Sequence, residues 1–576
     1  MPLRMKPLSL HLVVLRIIRH MDERLLLMLI AALVGLGGGL AAVILNRLLF
    51  EIHHAFRIMQ GHWYAFVLPA CGAALSSLFL GYMMKEGAGH GVPEVIYSVC
   101  KRGGLLRLRS SFSRLISSAL TISSGGSAGP EAPVVMSGAS IGSNIAKVFS
   151  LNDRQRVTMV GCGAASAISA IFNAPIAGII FSVEVVLGEW TPINLIPIGV
   201  ASVVGTEVSR LLQGNVIPFS HREFHASLLD ILAAVGIAVL AGLSSVLFTR
   251  LLNGTIKRSR ELASHDWLRA ALGGACVGVL GLAFPSVLGK GYDVVSTIIE
   301  NQYQSGLLIV ALATLAKIVA TSLTIGTGGS GGIFAPCLVI GSLGGLAYQR
   351  GLVFFWPAVP WAEEGFFAIL GMAAVMSGTL QAPLTGIFLI VEVTGSYEVM
   401  LPLILVSAVS ATLCHYLQPV SFYYTDLVSQ GQLLRPRTDA RLLADLNISE
   451  LVEKDCIVVH EDMRLRDMIP MIRQSSRDYF PVENSKTENF LGLIRLDDVR
   501  PYLFNPDLLD AVIMGEIMDV NVPSVSPFDD MKDVLDLMDQ THSRSLPVVQ
   551  GKKFLGMVSK ATILDRYRKE LIVQTY

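Results

Sequence analysis

The sequence predicts a polytopic, all-α membrane protein built on an internal repeat, followed by a smaller α/β tail. Three observations carry that prediction. Apolar residues fill 52% of the 576 positions and charged residues 16%, and mean hydropathy is +0.57; soluble domains carry about a quarter charged residues. The runs from Leu25 to Phe50 and from Trp63 to Met84 are long enough to cross a bilayer, for which ~20 residues suffice. A Gly- and Pro-rich pattern occurs twice in the apolar region, and a second, shorter pattern occurs twice after Thr425.

The net charge of zero gives no reason to expect a nucleic-acid partner. The seven cysteines show no C-x-x-C spacing and mostly lie in apolar runs, so they read as small buried hydrophobes rather than disulfides or metal ligands. Residues 1–24 mix Arg4, Lys6, Arg16, Arg19 and Arg24 with apolar positions. Arg16 and Arg19 interrupt the apolar run and no small-residue cleavage site follows, so this is a basic amphipathic segment on the cytoplasmic membrane surface rather than a signal peptide. The basic stretch Lys101, Arg102, Arg107, Arg109 and Arg114 places that loop on the cytoplasmic side.

The first copy of the repeat is Gly125-Gly126-Ser127-Ala128-Gly129-Pro130-Glu131-Ala132-Pro133, and the second is Gly328-Gly329-Ser330-Gly331-Gly332-Ile333-Phe334-Ala335-Pro336, 203 positions later. Asn173-Ala174-Pro175-Ile176-Ala177-Gly178 recurs as Gln381-Ala382-Pro383-Leu384-Thr385-Gly386 at an offset of 208, and Glu184-Val185 recurs as Glu392-Val393. Close helix packing accounts for scattered glycines, but not for Gly-Ser-x-Gly-x-x-Ala-Pro in both halves. Prolines fit a helix's first turn, and the glycines permit an unwound approach. Paired broken helices of this kind aim their N-termini at an anionic substrate near the bilayer midplane. Glu131 then stands as an acid within a helix start that attracts anions. A buried membrane carboxylate is too costly to be incidental.

These motifs resemble the CLC family of chloride channels and chloride/proton exchangers, over roughly residues 25–424. Gly89-His90-Gly91-Val92-Pro93-Glu94 is similar to the family's first anion motif, Gly129-Pro130-Glu131-Ala132-Pro133 to its second and Gly332-Ile333-Phe334-Ala335-Pro336 to its third; Ser421-Phe422-Tyr423 resembles the segment that brings a tyrosine hydroxyl to the anion. The resemblance implies an inverted repeat and a homodimer with one pore per subunit in the cell membrane, both termini cytoplasmic. It makes Glu131 the gating glutamate and His90, Ile333, Phe334 and Tyr423 the anion site. An interfacial belt aromatic is the alternative for Tyr423. Three departures stand out. His90 replaces the family's serine, Pro130 replaces a basic residue, and Val185 occupies the position where many exchangers carry a second acid. Val185 favours a voltage-gated-type chloride channel, with proton-coupled antiport as the alternative. Glu184 and Glu392 read as structural.

Residues 425–447 form a linker, after which two units, 448–505 and 511–570, repeat a strand pattern. Phe480-Pro481-Val482 and Phe490-Leu491-Gly492-Leu493-Ile494 recur as Leu546-Pro547-Val548 and Phe554-Leu555-Gly556-Met557-Val558. This resembles a cytoplasmic CBS pair, a module that often senses adenine nucleotides. The family's ribose pattern, Gly-x-x-Ser/Thr-x-x-Asp, is incomplete in both copies. The first keeps Asp498 and the second keeps Ser559 with Thr562 at the acidic place. An adenine-nucleotide site at Asp498 and Ser559 and a purely structural dimerisation module therefore both remain open, and no cofactor is required. A membrane-embedded enzyme lacks a nucleophile–base pair or metal cluster in the sequence, and a cation transporter would need carboxylate or carbonyl clusters.

Overall fold

The computed structural model describes residues 22–60, 63–87, 91–215, 219, 221–262, 265–429 and 446–575. The basic segment ahead of Asp22, His90 and most of the linker lie outside the described residues. The chain forms two compact units, 1–432 and 433–576.

In the first unit, two sets of eight helices follow one another in the same order. The first set is α1 (Glu23–Gln60), α2 (Leu68–Leu78), α3 (Val92–Lys101), α4 (Ser110–Ser123), α5 (Glu131–Val148), α6 (Asp153–Phe172), α7 (Pro175–Phe181) and α8 (Pro192–Gln213). The second is α9 (Leu228–Leu262), α10 (Asp266–Ala283), α11 (Tyr292–Ile299), α12 (Leu307–Gly326), α13 (Phe334–Phe355), α14 (Glu364–Leu380), α15 (Pro383–Thr394) and α16 (Met400–Leu417); α17 (Phe422–Ser429) closes the unit. Eight helices among the described residues are long and apolar enough to cross a membrane. Each helix of the first set has its mate eight places on, and the packing repeats accordingly. Helix α5 lies on α6 as α13 lies on α14, and α1 lies on α8 as α9 lies on α16. Mates also meet directly, α2 with α10, α5 with α13 and α7 with α15.

Contacts between mates are what a two-fold axis through the unit produces. Its direction is fixed by one pair of residues. Gly129 and Gly332, repeat mates, form an antiparallel bridge in which each N–H donates to the other's carbonyl, at 2.8 and 2.7 Å. Two mates that pair antiparallel lie on the axis with their chains reversed, so the repeat is inverted. The glycines that continue the pattern have a packing reason. A Cβ on Gly138 would stand 2.2 Å from the Gly163 carbonyl oxygen, and one on Gly341 would stand 2.4 Å from that of Gly371. Helices α5 and α6, like α13 and α14, therefore approach at backbone contact.

The second unit holds two copies of a helix–strand–strand motif, the first preceded by a short strand and the second by a single parallel bridge, Val525 to Val548. Strand β1 (Val459–His460) runs parallel to β2 (Tyr479–Glu483), which pairs antiparallel with β3 (Phe490–Arg495); β4 (Ser545–Gln550) pairs antiparallel with β5 (Lys553–Ser559). Amphipathic α18 (Leu465–Gln474) and α19 (Met531–Gln540) cover the sheets. The two cores match residue by residue: Val459, Leu465, Met468, Phe480 and Val482 in one, and Val525, Met531, Val534, Leu546 and Val548 in the other. Each copy lends its leading segment to the other. Glu453 bridges Met557, and Asp519 bridges Leu493.

Candidate functional site

The site forms where α5 and α13 start back to back. Each start follows a tight turn, with Gly125 at φ +105° and Gly328 at φ +115°, values open to glycine. The turns are tied across the axis by matching bonds. Ser127 N–H donates to Thr324 Oγ1 at 3.0 Å, and Ser330 N–H donates to Thr121 Oγ1 at 3.2 Å. Ser127 and Thr321 share a hydroxyl–hydroxyl bond of 2.9 Å, as do Ser117 and Ser330. These buried donors are all paired, which holds the two helix starts rigid.

The mates Glu131 and Phe334 occupy the first positions of α5 and α13. Glu131 is fully buried. Its Oε1 accepts a hydrogen bond from the Tyr292 hydroxyl at 2.5 Å, while Oε2 has no hydrogen-bond partner among the described residues. The carboxylate folds back over Gly129, where a Cβ would stand 2.0 Å from Oε2 and 3.0 Å from the Ala335 amide nitrogen. Any side chain there would push the acid from its place. Phe334 is fully buried with its ring edge-on to Phe181, 5.3 Å between centroids, and Ile333 beside it is fully buried too. Tyr423, at the start of α17, is 1% exposed, which excludes a place in an interfacial belt. Its hydroxyl has no hydrogen-bond partner among the described residues, and it lies within electrostatic range of Glu131 and of Cys337 on α13. A buried, unmatched donor within electrostatic range of a helix start is an arrangement that can receive an anion.

The structure thus brings together Glu131, the Ile333–Phe334 helix start and Tyr423; His90 falls outside the described residues. The sequence reading did not include Tyr292. Its signal was an extension of the repeat, because Gly289-Lys290-Gly291-Tyr292 follows Gly89-His90-Gly91-Val92 by 200 positions.

Glu184 and Glu392 have matching structural roles. Glu184, in a π turn at Ser182–Leu187, accepts from Leu384 N–H at 3.2 Å, Thr385 N–H at 2.7 Å and the Thr385 hydroxyl at 2.6 Å, all at the start of α15. Glu392 on α15 accepts from Ile176 N–H at 3.1 Å and Ala177 N–H at 2.7 Å, at the start of α7. Each half caps the other half's broken helix with its acid. Val185, next to Glu184, is buried and carries no proton.

In the second unit, the residues considered for a nucleotide are engaged. Asp498 accepts from Arg495 N–H at 3.1 Å, opening a short helix. Ser559 donates to Glu453 Oε1 at 2.7 Å, the Thr562 hydroxyl also donates to Glu453, and the two hydroxyl oxygens lie 3.0 Å apart. Arg477 holds Glu453 Oε2 at 2.7 Å and Asp455 at 2.9 Å, and its hydrogen bond keeps the Asp455 carboxyl below the usual range. Gly492 and Gly556, which stand at the glycine position of the Gly-x-x-Ser/Thr-x-x-Asp pattern in their copies, admit the crossing strands. A Cβ would stand 2.4 Å from the Asp519 carbonyl oxygen in one case and 2.5 Å from that of Glu453 in the other.

Comparison with known proteins agrees with this architecture. The model of the voltage gated chloride channel family matches residues 71–415, and that of the CBS domain matches 448–505 and 514–569. A ClcB-like protein of Ralstonia nicotianae is 31% identical over 413 residues, which cover 68% of this chain and 95% of that protein. The H(+)/Cl(-) exchange transporter ClcA of Klebsiella pneumoniae is 28% identical over 433 residues, covering 72% and 90%. Among solved structures, a slow cyanobacterial Cl-/H+ antiporter superposes with a TM-score of 0.64 at 23% identity, over 72% of this chain and 99% of its own. A eukaryotic CLC transporter superposes with a TM-score of 0.62 at 18% identity over 95% and 98%. At those identities the superpositions establish the fold.

Proposed function

Because the chain belongs to the voltage-gated chloride channel (CLC) family and so is a multi-pass membrane protein of chloride transport, we propose that it exchanges chloride for protons along a path gated by Glu131. The observation that carries this reading is a fully buried acid, seated at two opposed helix starts, with one carboxylate oxygen unbonded. An anion in a low-dielectric interior costs tens of kcal/mol by Born estimates unless oriented donors receive it. The amides at Ile333 and Phe334 and the hydroxyl of Tyr423 supply such donors without a fixed positive charge, so the anion is held but can leave. The carboxylate of Glu131 competes for the same donors. Protonation ends the competition, so chloride flux rises as pH falls, and a proton travels on the group that chloride displaces.

Val185 favoured a channel, and it remains the specific observation for that second reading. Against it stand relatives named as H(+)/Cl(-) exchange transporters, and a gate that is itself a proton carrier. Glu184 does not replace the missing acid, since both its oxygens are committed to α15. In this reading the proton enters by a route that does not use position 185. The subunit pairs with a second copy, each copy keeping its own pore. The tail serves as a structural module, with Glu453 occupying the hydroxyls that an adenine nucleotide would need in the second copy.

The test is the reversal potential of the purified protein in planar bilayers under crossed chloride and proton gradients. Exchange makes that potential move with the pH gradient. A potential that follows chloride alone overturns exchange and leaves the channel.

A further inference from the structure

Tyr292 is the one described side chain that donates a hydrogen bond to the Glu131 carboxylate. It opens α11, in the second half of the repeat, 161 positions from the acid it holds. Glu131 has no exposed surface, whereas Tyr292 keeps a partly accessible one. Its ring is fixed on several sides. Phe219 meets it edge-on at 5.5 Å, Phe172 lies at 6.5 Å, and the Lys290 ammonium sits 5.2 Å from its centre. The segment that leads into it is anchored as well. Buried Lys317 donates to the carbonyls of Val287 at 2.9 Å and Gly289 at 3.1 Å, and Gly289 N–H donates to the Gly125 carbonyl at 3.1 Å, in the turn before Glu131. Acid and hydroxyl are therefore held by one continuous scaffold.

We propose that Tyr292 is the latch of the gate, a positioning residue whose hydroxyl holds Glu131 in its buried, pathway-blocking place and must release it before chloride passes. The inference rests on the reading of Glu131 as the gate. The titratable groups that face Glu131 are Lys290 just ahead of α11, Tyr292 at its start, Cys337 on α13 and Tyr423 on α17. Of these, Tyr292 alone is bonded to it. The hydroxyl favours the ionised, docked carboxylate, because a donor to a charged acceptor is stronger than one to a neutral acid. Without it, the acid takes up a proton and departs more readily.

The test is chloride efflux from liposomes holding the full-length protein, followed over a pH series, for the wild type, Tyr292→Phe, Glu131→Gln and the double variant. Tyr292→Phe keeps the ring and its packing against Phe172 and Phe219, and a monodisperse elution profile checks that it folds. The expected result is a flux–pH midpoint about one unit higher than wild type, the tenfold that a charge-assisted hydrogen bond is roughly worth. In the Glu131→Gln background, Tyr292→Phe then changes nothing further. An unshifted midpoint in Tyr292→Phe, with a flat profile in Glu131→Gln, overturns the latch and leaves the gate standing. A further change in the double variant overturns the latch too, because Tyr292 then acts elsewhere. A wild-type pH profile in Glu131→Gln overturns both readings.

Discussion

The two halves of the membrane unit share a scaffold and differ in what they place on it. Thr121 and Thr324 do the same work, as do Ser127 and Ser330, and Glu184 and Glu392 cap each other's helices. At the axis the likeness stops. Glu131 faces Phe334 across the two-fold, and Tyr292 has Val92 as its mate. One half brings the acid and the other brings the hydroxyl that holds it. The difference teaches where the constraints lie. Positions that hold the halves together are alike in both copies, while the positions around the Glu131 carboxylate differ. An inverted repeat thus makes a site with two different ends from one architecture.

This comparison can be broken at graded depth. The largest effect belongs to Glu131→Gln, which removes the ionisable group from the asymmetric pair; efflux should lose its pH dependence, and the reversal potential should cease to respond to a proton gradient. Next come the reciprocal caps. Glu184→Gln and Glu392→Gln should each lower stability by about 1–3 kcal/mol in detergent, as charge-assisted bonds to amides are lost, without altering the flux–pH profile. Glu184→Gln should cost more, since Glu184 also receives the Thr385 hydroxyl. A larger loss at Glu392 would contradict that assignment. Smaller again, Thr121→Val and Thr324→Val should each cost about 1 kcal/mol. Their effects should agree closely, and thermal unfolding that separates them widely would count against equivalence of the halves. The smallest effect lies in the tail. The bonded Asp455 carboxyl sits below its unfolded value, so its contribution is complete at neutral pH and vanishes as pH falls through the folded-state value. Proteolysis of the tail should distinguish Asp455→Asn from wild type at neutral pH and fail to do so well below pH ~4.

Much of this was legible in the chain itself. The glycine–proline starts, their offset of 203 and the acid at Glu131 are local features, and local features survive in sequence. The tail cores were equally plain, because burial imposes the same apolar residues at the same spacing twice. What escaped were contacts between distant segments that share no local signature. Tyr292 follows Gly-Lys-Gly and looks ordinary until the fold brings it to Glu131. Arg114 and Lys317 are repeat mates 203 positions apart, both buried. Each bonds carbonyls of the loop before the short helix of its own half, Arg114 at Gly87 and Lys317 at Val287 and Gly289. As isolated charges in apolar helices they did not announce this. Gly492 and Gly556 are ambiguous in sequence, since a ligand motif and a strand crossing both demand glycine, and the crossing shows itself only in the fold. Val185 could not decide between channel and exchange, because one substituted acid says which route is missing and not whether another exists.

The reciprocal bonds at Gly129–Gly332, Ser127–Thr324, Ser330–Thr121, Glu184–Thr385 and Glu392–Ala177 have one consequence for assembly. Every one joins the first set of helices to the second, and none involves the residues between α8 and α9. The covalent connection there serves to raise the effective concentration of one half near the other. Two separate polypeptides cut between α8 and α9 would still carry all of these reciprocal bonds, with the reversed direction of their chains already written into the contacts.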